Sequence, residues 1–119
     1  MKKIILILSF SFISLFSAEH LTADNIDEKL QNKNAIVDFY AVWCPPCKIM
    51  SKNLKDFENS NNSDVVIYKV DVDKQPQLAQ KFGVRTIPTT VYFKNGIFLK
   101  KEVGVKTVSQ LHLNVKNYF

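Results

Sequence analysis

The sequence predicts an α/β domain built on a central mixed β-sheet with helices on both faces. Three observations lead there. Two nearly continuous apolar runs, 35–41 and 65–72, read as strands buried on both faces. Helical patterns alternate with them, which implies parallel strands joined by right-handed crossovers. Near the end, 89–93 and 97–103 alternate as strands around Asn95-Gly96, a strong hairpin signal that adds an antiparallel pair.

Taken in order, the chain opens on a segment distinct from that domain. Lys2 and Lys3 precede an apolar run, Ile4 to Leu8, which continues through Phe10, Phe12, Ile13, Leu15 and Phe16 to Ser17-Ala18. A basic start, a short apolar core and small closing residues describe a secretory signal peptide over 1–18. Cleavage after Ala18 puts Phe16 at the third position back, where a small residue is preferred. An uncleaved anchor is therefore the alternative, although the run is short for a full span.

Residues 19–119 form the expected single domain. Glu19 to Leu21 leave room for a short strand. Thr22 and Asp24 are N-cap types, and Ile26 and Leu30 share a face, so a helix is expected over 24–31. The strand over 35–41 carries Asp38 in its middle. A second helix starts after Cys44 and runs to about Glu58, with Ile49, Met50, Leu54 and Phe57 apolar. The strand over 65–72 carries Lys69. A short helix over 75–82 opens with Pro76 near its first turn and closes at Gly83. After the hairpin, Thr107 or Ser109 starts a last helix with Val108, Leu111 and Val115 on one face.

Without Lys2 and Lys3 the formal charge falls from +5 to +3. The remaining lysines are scattered, which describes a solvated surface and argues against nucleic acid as a partner. His20 and His112 are too few and too far apart to argue for a site.

The two cysteines, Cys44 and Cys47, stand where a strand ends and a helix begins. Such a pair can staple, bind metal or react. A bridge across two residues closes a very small loop and removes little unfolded-state entropy, so the spacing is poor for stability. A zinc site would need His20 and His112 both to converge on the pair, and the Pro45-Pro46 spacer is explained without metal. The stretch reads as a reactive dithiol.

At this point the chain resembles the thioredoxin family over nearly all of 20–119. Asp38-Phe39-Tyr40-Ala41-Val42-Trp43-Cys44-Pro45-Pro46-Cys47-Lys48 is similar to the family's active-site stretch. Lys69-Val70-Asp71-Val72-Asp73, Phe82-Gly83-Val84-Arg85-Thr86-Ile87-Pro88-Thr89, Phe93-Lys94-Asn95-Gly96 and Val103-Gly104 follow in the family's order. Three positions depart from it. Pro45 replaces the family's Gly, Tyr40 a frequent Trp, and Lys52 a helix-kinking Pro.

The resemblance implies the thioredoxin fold and a dithiol–disulfide cycle with no cofactor or metal. Cys44, at a helix N-terminus where orphan N–H groups lower a thiol pKa, is the expected nucleophile, and Cys47 the resolving thiol. Asp38 is the expected proton-transfer group for Cys47, with Lys69 paired to it. Trp43, Pro45, Pro46, Ile87 and Pro88 form the expected substrate-binding surface, with a cis bond at Ile87-Pro88. Neither Pro45 nor Pro46 has an N–H, so the first donors open to Cys44 belong to Cys47.

The combined expectation is an exported, monomeric thiol–disulfide oxidoreductase, periplasmic or secreted. If its N-terminal segment is not cleaved, that segment holds it at the inner membrane. Ile87 before the proline resembles the reducing members of the family. Disulfide-containing exported proteins are the expected substrates, and a membrane electron-relay protein the source of electrons. Two alternatives stay open: a periplasmic disulfide oxidase or isomerase, and a redox-inactive module that binds partners.

Overall fold

The computed structural model describes residues 18–119. The expected export segment therefore lies outside the described residues, apart from Ala18. Nine elements follow: β1 (Glu19–His20), α1 (Ile26–Leu30), β2 (Ala35–Tyr40), α2 (Pro45–Ser60), β3 (Val66–Asp71), α3 (Pro76–Lys81), β4 (Thr89–Lys94), β5 (Ile97–Val103) and α4 (Val108–Tyr118). Among the described residues, no helix is long and apolar enough to cross a membrane.

The sheet order is β1-β3-β2-β4-β5. β3 runs parallel to β1 and β2, while β4 is antiparallel to β2 and β5. β2 thus lies at the centre, which is why its sequence is apolar on both faces. Val37 and Phe39 pack on one side with Leu21, Ile26, Leu30 and Leu78, under α1 and α3. Ile36 packs on the other side with Met50, Leu54, Phe57 and Leu111, under α2 and α4. Strand alternation places Asp38 and Tyr40 on this second face with Ile36.

The element order agrees with the expectation, and the differences lie at the ends. α1 is shorter than 24–31 and neither Thr22 nor Asp24 caps it. The Thr22 carbonyl instead accepts from the N–H groups of Asn25 and Ile26, while Asn25 Oδ1 accepts from the Thr22 N–H, so 22–25 forms a turn. α2 continues two residues past Glu58, to Ser60. Thr107 is the cap of α4: its side chain accepts from the Gln110 N–H, and the Gln110 side chain accepts from the Thr107 N–H.

Asn95 and Gly96 both have positive φ, 51° and 78°, as a tight two-residue hairpin requires. The turn is also sewn to the α1–β2 connection. The Gly96 N–H donates to the Lys33 carbonyl at 2.8 Å, and the Asn95 N–H to Asn34 Oδ1 at 3.0 Å. A Cβ at Gly96 would lie 2.7 Å from the Leu30 carbonyl oxygen. Gly96→Ala should therefore lower stability by about 1–3 kcal/mol, through left-handed strain and this clash. Urea denaturation of the two proteins measures the loss.

Candidate active site

β2 delivers the chain to the site. Its last residue is Tyr40; Ala41 follows, buried, and then Val42 and Trp43 turn out into solvent. Cys44 caps α2 in an extended conformation, φ −95° and ψ 109°, and Pro45 and Pro46 take the first helical positions. Prolines fit there because those N–H groups have no intrahelical acceptor. The first free N–H of the helix is that of Cys47, and it donates to Cys44 Sγ at 3.2 Å. The expectation for the first donor is met.

Cys44 and Cys47 form a disulfide, with 5.2 Å between Cα atoms. Both cysteines are buried, 4% and 2% exposed, and pack with Ala41, Tyr40, Val72 and Ile87. The Ile87-Pro88 bond is cis. Around the buried sulfurs the surface is apolar and open. Val42 and Trp43 are 66% and 67% exposed, so Trp43 takes no core role. Pro45 and Pro46 are exposed beside them, and Ile87 is half-buried. The Trp43 indole N–H donates to Asp73 Oδ2 at 2.8 Å, which fixes the ring. The sequence pattern gives Asp73 no part in the site. Its only signal was a second acidic residue at the end of the Lys69–Asp73 stretch.

Asp38 is fully buried, and neither carboxylate oxygen has a hydrogen-bond partner among the described residues. Burial raises its pKa to about 7, against a smaller lowering by the Lys69 charge. The expected contact with Lys69 needs correction. The two residues are register partners across β2 and β3. Yet no ion pair joins them among the described residues: the Lys69 ammonium donates to the Ser51 hydroxyl and lies 5.0 Å from the centroid of the Tyr40 ring. These two neighbours hold the cation, so Lys69 acts on Asp38 only through space. The Tyr40 hydroxyl in turn lies 2.6 Å from His20 Nε2. Nothing in the sequence pattern links His20 to the site; the pairing of β1 with β3 brings it here.

The chain matches the family model described as Thioredoxin over residues 17–117. The chain belongs to the thioredoxin family. It is 36% identical to a thioredoxin of Alicyclobacillus acidocaldarius over 92 residues, covering 76% of this chain and 88% of that protein. A Staphylococcus haemolyticus thioredoxin is 38% identical over 91 residues, with the same coverage of 76% and 88%. Among solved structures, a mutant thioredoxin from Halobacterium salinarum superposes with a TM-score of 0.76 at 28% identity, covering 86% of this chain and 90% of that one. The protein is thus a thioredoxin-like thiol–disulfide oxidoreductase, and family members act on disulfide-containing proteins. Its redox group is its own cysteine pair.

The bare Asp38 carboxyl also bears on stability. Its folded pKa of about 7 lies above its ordinary value of 3.8. Between those values the folded protein holds a proton that the unfolded chain has lost, so stability falls as pH rises from about 4 to about 7. A shift of about three units is worth about 4 kcal/mol. Asp38→Asn should remove this fall, leaving the variant more stable than the parent at pH 8 and less distinguished from it at pH 4. Denaturation of the oxidised proteins across that range checks the sign.

Proposed function

We propose that this protein is exported and reduces disulfides in other exported proteins, through a dithiol that a membrane electron relay recharges. The observation that carries the reading is the Cys44–Cys47 disulfide at the start of α2, beside cis Ile87-Pro88 and ringed by exposed apolar side chains. That surface suits an extended, partly apolar substrate segment. The half-buried Ile87 backbone offers it hydrogen bonds in the manner of an added strand. The N-terminal segment, Lys2-Lys3 followed by an apolar run and Ser17-Ala18, supports export to a periplasm.

In the reduced protein, the Cys44 thiolate attacks one sulfur of the substrate disulfide. That S–S bond breaks, a Cys44–substrate mixed disulfide forms, and the first substrate thiolate leaves and takes a proton. The N-terminus of α2 and the Cys47 N–H stabilise the thiolate on Cys44. Asp38 then accepts the Cys47 proton, by way of water. Cys47 and Lys69 line a cleft of about 200 Å³, room for several waters at about 30 Å³ each. The Cys47 thiolate attacks Cys44 Sγ, the mixed disulfide breaks, and the second substrate thiol is released. Two electrons pass to the substrate and the Cys44–Cys47 disulfide remains. A carboxyl that titrates near 7 suits this base role at neutral pH.

Cys44→Ser should abolish reduction of insulin disulfides. Cys47→Ser should accumulate the natural substrate as a mixed disulfide on Cys44, and accumulation on the Cys44→Ser protein instead would reverse the two roles. Asp38→Asn should slow reduction at pH 7 by roughly tenfold or more. A Cys44–Cys47 potential close to about −270 mV agrees with a reductase, whereas one near about −120 mV would mark an oxidase. Fusion of 1–18 to a phosphatase that is active only after export tests the location, and an inactive fusion refutes it.

A further inference from the structure

Ser51 stands four residues after Cys47 on α2, so the two side chains share a helix face. Both line the cleft of about 200 Å³, together with Tyr40, Lys48 and Lys69. Asp38 shares with Ile36 the sheet face that α2 covers, and Lys69 is its register partner. A flexible ammonium beside a buried carboxylate with no partner has a strong electrostatic reason to turn toward it. Here it turns the other way, to the Ser51 hydroxyl and the face of the Tyr40 ring.

We propose that Ser51 is a positioning residue: with Tyr40 it tethers the Lys69 ammonium to the α2 side of the cleft and keeps it from closing on Asp38, which stays free to exchange a proton with Cys47. The second half of this statement rests on the reading of Asp38 as the base for Cys47. The first half stands on the geometry alone.

The other groups around Asp38 do not supply a competing cation. β2 contributes Tyr40, and β3 contributes Asp71 beside Lys69. β4 places the neutral Thr90 opposite Asp38. β1 contributes His20, which is engaged by the Tyr40 hydroxyl. α2 contributes Cys47, held in the disulfide, and the exposed Lys48 at the cleft mouth. Lys69 is the charge whose field reaches the Asp38 carboxyl.

Carboxyl-carbon NMR titration of Asp38 in the oxidised full-length chain tests the tether. Ser51→Ala frees Lys69 to close on Asp38 and should lower the Asp38 midpoint by about one pH unit. Ser51→Thr keeps a hydroxyl and should titrate like the parent. In a Lys69→Met background, Ser51→Ala should have no further effect, because the two residues act as one unit. An unchanged or raised midpoint in Ser51→Ala overturns the proposal, as does a shift that survives in Lys69→Met. The acid limb of insulin reduction should move with the midpoint. If the midpoint falls while that limb stays in place, the tether stands and the base role of Asp38 fails.

Discussion

β2 is covered on both faces, and the site hangs from its C-terminal end. Ala35, Ile36, Val37 and Phe39 are fully buried between the two helical layers, which leaves the strand no freedom of register or tilt. The chain must therefore leave the sheet at Ala41 and enter α2 at Cys44, so the sulfur sits at a helix N-terminus. The strand must also bury whatever occupies its fourth position, and that residue is Asp38. A carboxyl in such a place is costly to ionise, and burial raises its pKa.

The electrostatics are organised by what the carboxyl lacks. Lys69 is near enough to act on it and is not bonded to it. An ion pair in contact would keep Asp38 charged and fix its proton affinity low. With the cation on Ser51 and Tyr40, burial outweighs the field of Lys69 and the Asp38 pKa is raised to about 7. β1 extends the arrangement, since His20 reaches Tyr40 only because β1 pairs with β3.

The Pro45-Pro46 loop acts on the other sulfur. With both N–H groups absent, the Cys47 N–H is the one donor seen on Cys44 Sγ among the described residues. The exposed rings of both prolines extend the apolar rim that Val42 and Trp43 begin. Asp73 accepts the indole N–H of Trp43 at this rim.

Much of this was legible in the residues themselves. Apolar runs, a Pro-opened helix, Asn95-Gly96 and the Cys44–Cys47 spacing are local signals, and local backbone physics decides the elements they encode. The element order, the cysteine pair and the buried Asp38 follow from them. Contacts between residues distant in sequence were not legible, because no local preference encodes them. Tertiary packing alone decided that Gly96 abuts Leu30, that Asp73 holds Trp43, that His20 meets Tyr40, and that Lys69 turns to Ser51 instead of Asp38. The residue pattern alone names the cysteine pair, Asp38 and Lys69, and gives no sign of Ser51, His20 or Asp73. The tertiary structure decided which of them touch, because a long flexible side chain such as Lys69 goes to whichever partner the packed elements bring within reach.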